Sequence, residues 1–493
     1  MTNNQSSYRS IFKATFLFGG VQVYQILIQI IKSKFVAVLL GPAGVGIMGL
    51  YQSGLQLVQQ ISSMGLASSA VRNVSESNGT NDIQRIAKTI TVVRKLVWFT
   101  GLLGLILVAC CSPLLSKVSF GNYDYTIPFI ILSVTLLFDQ LSAGQRVVLQ
   151  GMRRLKDLAK CTAFGVTFGL ITSVPLYYLL GINGIIPTIV LNSACSLTLS
   201  WIYSRRIKIE KVPVTPKETL VQGKQMLIMG VSMSLSGIFA SIVAYAIRGF
   251  IQANGGVEQV GLFQAGFAIM TTYVGMVMNA IGTDYYPRLA AINKDNAKCR
   301  EAVSQQGEIG TMILAPMLTC CLVFMPFVLD LLYSDSFLAA NEYVTWACLG
   351  MMLRLAAWVI SYLFVAKAES KLFLKVELSA NAYYLVFSLL GYKFLGLTGL
   401  GIAFALEYIV YFLQCYLIAR RRYDFRFTSD FIKCYGIQLF LVIVCLVIVV
   451  IFSGWLKYTL GCIVIAISCF IGIKGLNQRM NLLGFVKNKI AKK

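Results

Sequence analysis

The sequence predicts an all-α polytopic membrane protein of about fourteen transmembrane helices: two six-helix bundles related by a parallel pseudo-two-fold repeat, plus two extra C-terminal helices. Three observations carry this reading. First, 57% of the 493 residues are hydrophobic and 13% are charged, about half the charged fraction of a soluble domain. Second, the apolar residues fall in blocks of about 20, each long enough to cross a hydrocarbon core as a helix, with none of the alternation that barrel strands would show. Third, the chain resembles itself at an offset of about half its length, as set out below.

The blocks centre on residues 14–39, 47–70, 90–112, 126–149, 159–180, 183–203, 226–250, 259–283, 307–331, 343–366, 372–394, 398–419, 432–453 and 456–474. The polar N-terminus, residues 1–10, precedes an apolar block too long for a signal peptide and without a small-residue cleavage site, so it is expected to stay as the first helix. Thirty-six of the 43 Lys and Arg fall in the N-terminal tail, the loops on its side and the C-terminal tail; Lys117, Lys393 and Lys457 fall opposite. This asymmetry places both termini in the cytoplasm. It also accounts for the net charge of +23 without nucleic acid, and gives the Lys487, Lys489, Lys492, Lys493 tail a role on anionic membrane lipids.

Composition weakens the case for an enzyme. There is no His, which removes the commonest general base and the commonest transition-metal ligand. Of the thirteen Cys, twelve lie in apolar blocks and Cys299 in a basic loop, with no C-x-x-C; neither a metal nor a disulfide framework is implied. The run Gly44-Val45-Gly46-Ile47-Met48-Gly49 matches G-x-G-x-x-G but follows a membrane helix and lacks the downstream acid of a dinucleotide fold, so it reads as a tight outer turn. No P-loop is present, and no cofactor is called for. Sequons at Asn73 and Asn78 fall on the cytoplasmic side.

The repeat orders these blocks. Gly49-Leu50-Tyr51-Gln52-Ser53-Gly54 recurs as Gly261-Leu262-Phe263-Gln264-Ala265-Gly266, offset by 212. At an offset of 215, Gly181-Ile182-Asn183-Gly184 meets Gly396-Leu397-Thr398-Gly399, Arg205-Arg206 meets Arg420-Arg421, and Lys156 and Lys160 meet Lys371 and Lys375. Six helices therefore recur as six with orientation preserved. The expected domains are an N-terminal bundle at 1–205, a cytoplasmic linker at 206–225, a C-terminal bundle at 226–421, and two extra helices with a basic tail at 422–493.

Once those 39 cations are assigned to the tails, loops and helix ends, four remain: Lys32, Lys34, Arg248 and Arg354. A cation at bilayer depth costs roughly 2.5 to 3.5 kcal/mol on insertion scales and persists where it faces a partner or a hydrated pathway. On the first helix Gln22, Gln25, Gln29 and Lys32 share one face, as do Gln52, Gln56 and Gln59 on the second and Ser234, Ser241 and Arg248 on the seventh. These faces predict a hydrated cavity with anion-binding cations, although Ser and Gln also serve as interhelical hydrogen-bonding groups, and Lys34 and Arg248 are close enough to the outer headgroups to snorkel. Acids at depth are Asp139, seven residues from Arg146, and Glu407. Each suits either pairing with a buried cation or carriage of a coupled proton or sodium.

Leu40-Gly41-Pro42-Ala43-Gly44-Val45-Gly46 after the first helix, Gln150-Gly151 after the fourth and Tyr285-Tyr286-Pro287-Arg288-Leu289 after the eighth resemble the O-antigen flippases of the multidrug/oligosaccharidyl-lipid/polysaccharide (MOP) superfamily. The resemblance spans roughly residues 10 to 420. It implies two bundles that rock around a cationic cavity and carry an undecaprenyl-diphosphate-linked oligosaccharide between the leaflets of a bacterial inner membrane. In that reading Lys32, Arg248 and Arg354, with Lys34, hold the pyrophosphate, and the Gln faces hydrate the glycan. The partners expected are the lipid-linked substrate and membrane lipids, with contacts to polysaccharide polymerase or chain-length machinery, and the chain is expected to be a monomer. Two features depart from neighbouring branches. Fourteen helices resemble the peptidoglycan-precursor flippases, whose first helix carries an Arg-Asp pair where this chain has Lys32-Ser33-Lys34. Cation-coupled drug exporters keep a carboxylate there, which is absent here. Those two branches are the alternatives, and a membrane-embedded glycosyltransferase is disfavoured by the short outer loops.

Overall fold

The computed structural model describes residues 2–480 except 80–81, 153, 208, 210–211, 276–277, 279–284, 286–287, 290–291 and 368, with side chains described from Tyr24 onward except also at 79, 155, 216, 220, 225, 229, 232–233, 273, 370 and 479–480. Gln22, the Tyr286-Pro287 part of the third motif and the Lys487 to Lys493 tail lie outside what is described. Among the described residues there is no strand. Twelve α-helices follow one another among the described residues: α1 (Thr2–Ser62), α2 (Leu66–Gly79), α3 (Ile83–Phe120), α4 (Thr126–Gly151), α5 (Leu155–Leu180), α6 (Ile185–Arg205), α7 (Pro216–Ala268), α8 (Asn296–Leu332), α9 (Asn341–Ala366), α10 (Ser370–Tyr423), α11 (Ser429–Ile451) and α12 (Gly454–Met480). A π-helical turn, Ile269–Val274, continues α7.

Ten segments among the described residues are long and apolar enough to cross a membrane. The expectation of fourteen differs from this count because four segments, Tyr24–Ser62, Lys156–Arg205, Ser234–Thr272 and Lys371–Tyr423, run 39 to 53 residues. Each passes through a glycine at positive φ: Gly41 (65°), Gly181 (56°), Gly256 (80°) or Gly396 (60°). This is a conformation that L side chains rarely adopt. The chain doubles back at two of these points. A Cβ on Gly399 would lie 1.9 Å from the Gly391 carbonyl oxygen, and one on Gly184 would lie 2.6 Å from that of Leu176. Eight residues of straight helix would separate such groups by about 12 Å.

These glycines also set the register of the repeat. Gly41 and Gly256 are 215 positions apart, as are Gly181 and Gly396. A Cβ on Gly46 would meet Val257 O at 2.0 Å, and one on Gly261 would meet Pro42 O at 1.9 Å, so the glycine turns of α1 and α7 cross reciprocally at the same offset. The Gly49 to Gly54 match at 212 is therefore three residues out of structural register. The second predicted helix, expected over 47–70, also differs. It breaks at Met64 (φ 48°) and Gly65 (φ 60°) before α2, where the backbone of α7 passes so closely that a Cβ on Gly65 would lie 2.1 Å from Gly230 O.

The chain divides into two compact units, residues 1–261 and 262–493. In the first, α7 packs along α3: Ser119 Oγ lies 2.9 Å from the Tyr245 hydroxyl, and Gln252 Nε2 donates to Phe120 O at 3.0 Å. Asp82 caps α3, accepting from the backbone N–H groups of Gln84 and Arg85 at 2.9 and 3.1 Å. The segment leading into α7 is tied to α3 by Lys95 Nζ donating to Val214 O at 2.8 Å and by the Lys88–Glu218 pair at 2.5 Å. That Lys88 hydrogen bond, helped by the backbone and hydroxyl of Thr215, holds the Glu218 carboxyl down to about 2.

In the second unit, α11 and α12 pack on α8. Gly461 and Gly472 admit Val323 and the Met312 backbone, which a Cβ would meet at 2.5 and 2.6 Å. Gln438 and Ser468, both fully buried, bond reciprocally: Gln438 Nε2 to Ser468 O at 3.1 Å and Ser468 Oγ to Gln438 Oε1 at 2.6 Å. The last two helices are thus built into this unit. Cys299, expected in a loop, is buried in the first turn of α8, where its thiol approaches Ile292 O at 3.3 Å. Asp295 caps that helix.

Candidate functional site

In the first unit the two arms of α1 each carry a polar face. On the first arm, Leu27, Ile31, Phe35 and Val38 are exposed apolar residues at helical spacing, the composition suited to lipid. Gln25, Gln29 and Lys32 lie on the opposite side of the helix. Gln29 is exposed, Gln25 and Lys32 are half-buried, and Lys32 forms no hydrogen bond or ion pair among the described residues. This arm packs on α5, with Tyr24 Oη 2.6 Å from Thr167 Oγ1. On the second arm Gln52 and Gln56 are exposed and Gln59 is half-buried, while Ser53, Leu55 and Val58 face inward and are buried. An amide directed at hydrocarbon has no hydrogen-bonding partner, so these faces call for water or a polar cargo.

Helix α7 passes beside the second arm. Gln60, which the sequence reading did not single out, brings its side-chain oxygen to within 3.6 Å of where a Cβ on Gly237 would stand. On the same face of α7, Ser234 and Ser241 are half-buried. Arg248 is buried and donates from Nη1 to Ala244 O at 2.9 Å. Lys34 is half-buried. Asp139 sits between α4 and α6, accepting from the Ser193 hydroxyl with Arg146 as an electrostatic neighbour. One turn along, the hydroxyls of Ser142 and Ser196 are 3.1 Å apart. The α4–α6 seam is thus joined by short polar contacts of the kind that hold membrane helices together.

Arg354 and Glu407 belong to the second unit, which brings them together. The Arg354 guanidinium of α9 lies 5.7 Å from the Tyr408 ring centroid of α10 and approaches Met351 Sδ at 3.9 Å. Two carboxylates of α10 interact with it electrostatically: Glu407, which is buried, and Glu377. Glu377 was missed in the sequence because it stands close to Lys371 and Lys375 and reads as part of a basic loop end. It accepts from the Tyr411 hydroxyl at 2.6 Å. Arg288 of the third motif donates to Gln306 Oε1 at 3.0 Å, and the Tyr285 hydroxyl donates to Val359 O at 2.6 Å, so the described part of that motif works within the unit. No group of His, Cys, Asp and Glu able to hold a metal ion occurs among the described residues.

Long apolar helices paired through glycine turns that recur at an offset of 215 define a multi-pass helical membrane fold. Solved structures share it. An inward-facing multidrug resistance MATE family transporter of the MOP superfamily matches with a TM-score of 0.70 and 17% identity, over 81% of this chain and 94% of that one. The lipid II flippase MurJ in an inward closed conformation matches with a TM-score of 0.62 and 14% identity, over 96% and 99%; its coverage takes in the last two helices. Residues 35–342 match the polysaccharide biosynthesis protein family, and the chain belongs to that family. Relatives named lipid III flippase, from Escherichia coli strain K12 and from Shigella flexneri, are each 23% identical over 425 residues, covering 84% of this chain and all of theirs.

Proposed function

We propose that the protein is a flippase that moves an undecaprenyl-diphosphate-linked oligosaccharide, an O-antigen or related repeat unit, from the cytoplasmic to the outer leaflet of a bacterial inner membrane by alternating access. Membership of the polysaccharide biosynthesis family and the likeness to lipid III flippases support a lipid-linked cargo. The observation that carries the reading is the polar face of α1, where Lys32 and its neighbouring amides stand opposite the lipid-facing stripe. An ammonium with no hydrogen bond or ion pair among the described residues suits a pyrophosphate, whose oxygens accept charge-assisted hydrogen bonds, while the amides suit sugar hydroxyls. Arg248 stands at the outer end of the corresponding face of α7, with Lys34 as an outer anchor. Arg354 faces carboxylates of its own unit, which leaves it less of its charge to offer the cargo.

The sorted basic loops support cytoplasmic termini, and the repeat supports bundles at 1–205 and 226–421 that rock about the 206–225 linker. The polyprenyl tail stays in lipid while the headgroup crosses. Deleting the gene should leave lipid-linked oligosaccharide accumulated on the cytoplasmic leaflet, and restoring wild-type protein should clear it. Deletion without accumulation refutes the reading, and efflux of cationic drugs that depends on Asp139 or Glu407 would favour an exporter instead.

A further inference from the structure

The second unit carries a row of aromatic rings beside Arg354. None of the large apolar residues of α9 is exposed, whereas α10 exposes Val386, Leu390, Leu406 and Leu413, so α9 presents no stripe to lipid. Its half-buried residues beyond the first turn lie on two flanks. Trp346, Leu349 and Leu353 form one; Arg354, Trp358 and Tyr362, four apart, run along the other.

The Arg354 flank is braced by its neighbours. Tyr285, fully buried, donates to Val359 O at 2.6 Å and sets its ring 5.8 Å from that of Trp358 and 5.6 Å from that of Tyr362. Those two rings meet at 4.9 Å and 61°. From α10 the Tyr408 ring lies 5.7 Å from the guanidinium, and from α11 the Tyr435 hydroxyl donates to Met352 O at 3.2 Å. Acceptors are what the flank lacks. Among the described residues the Arg354 guanidinium reaches only Met351 Sδ, at 3.9 Å, and the Trp358 indole N–H and the half-buried Tyr408 hydroxyl have no hydrogen-bonding partner. Sheltered donors without acceptors call for water or a polar cargo.

Rings and donors together select the cargo. A pyranose has a face of C–H bonds that stacks on an indole or phenol ring, and a rim of hydroxyls that accept from an indole N–H or, in vicinal pairs, from a guanidinium fork. Hydroxyls ask for donors rather than for net charge. An acyl chain would leave the donors unmet, and a cationic drug would stack on the rings but be repelled by Arg354.

We propose that Arg354, Trp358 and Tyr408 form a sugar subsite, in which one pyranose ring of the glycan stacks on Trp358 and sets its hydroxyls on Arg354 and Tyr408. This rests on the flippase reading and deepens it: Lys32 takes the pyrophosphate, and the subsite selects which glycan is carried.

The subsite is tested without lipid-linked cargo. The purified full chain, in phospholipid nanodiscs free of glycolipid, is mixed in turn with methyl glucoside, methyl galactoside, methyl mannoside and methyl N-acetylglucosaminide. Saturation-transfer NMR then reads contact at the sugar C–H protons. At least one glycoside should bind, with the strongest transfer on one face of its ring. Trp358→Ala should weaken that binding at least about fivefold, and Trp358→Phe, which keeps a ring, should retain part of it. Arg354→Gln, a milder change that keeps the test open should alanine at 358 unfold the chain, should also weaken it. Trp201→Phe, in the first unit, should leave it unchanged. Binding of none of the four glycosides, binding undiminished in Trp358→Ala or Arg354→Gln, or binding lost in Trp201→Phe overturns the subsite. Binding that depends on Trp358 in a wild-type protein unable to flip lipid-linked oligosaccharide counts against the flippase reading and leaves the subsite standing. Flipping by wild type with glycoside binding indifferent to Trp358 does the reverse.

Discussion

The reciprocal crossing of the glycine turns of α1 and α7 makes a quantitative demand. In Gly46→Ala the new methyl would fall 2.0 Å from Val257 O and 3.0 Å from Gly261 N, and in Gly261→Ala 1.9 Å from Pro42 O and 3.0 Å from Gly46 N. The groups struck are backbone, which cannot rotate away, so the turns must part by about 1 Å. Overpacking of this kind costs about 1–3 kcal/mol, and backbone neighbours place both changes toward the upper end. Because either methyl already forces the turns apart, the second should cost less than the first. The double variant should fall short of additivity by at least about 0.5 kcal/mol. The assay is thermal stability in detergent of wild type, the two single variants and the double, with a substitution at exposed Ala43 as control. Wild-type stability in either single variant, or strict additivity in the double, would refute both the close crossing and the 215-residue register.

Other outcomes follow from single contacts. Lys32→Ala should abolish glycan export while the protein remains folded and inserted, whereas Lys34→Ala should retain much of it; complementation of a deletion strain with quantified membrane protein checks both. Gln438→Leu leaves the Ser468 carbonyl and hydroxyl without their buried partner and should destabilise the second unit by about 1–3 kcal/mol, read by thermal unfolding in detergent. Asp82→Ala removes the cap of α3 and should cost about 1 kcal/mol by the same measurement. Glu218 is held below its unfolded value, so its contribution is present above the unfolded carboxylate range and fades as pH falls toward about 2. The stability advantage of wild type over Glu218→Gln should therefore be largest near neutral pH and vanish in strong acid; an advantage independent of pH would show that Lys88 does not hold the carboxylate. The exposure of this pair makes the effect small.

Much of the fold was legible because membrane helices announce themselves by length and composition, and because glycine turns and basic loops recur. The multi-pass helical architecture and the parallel repeat were visible at that level. What was hidden required knowing which helices touch. The break at Met64 and Gly65 is only weakly signalled, by a glycine after Ser62-Ser63 inside an otherwise apolar run; the close passage of Gly230 accompanies it. Glu377 was masked by neighbouring lysines. The nearness of Arg354 to two acids of α10 depends on the packing of α9 against that helix, which no periodicity encodes. The identical-looking hexapeptides at offset 212 misled by three residues because Gly-Leu-aromatic-Gln runs recur by composition, whereas positive-φ glycines recur by geometry.

The central claim is tested most directly with purified protein in liposomes containing undecaprenyl-diphosphate-linked oligosaccharide, by measuring how much of the glycan becomes accessible to an enzyme confined to the opposite side. Wild type is expected to translocate the lipid and Lys32→Ala to fail while reconstituting equally well. Translocation no faster than in protein-free liposomes, or undiminished in Lys32→Ala, would contradict the account.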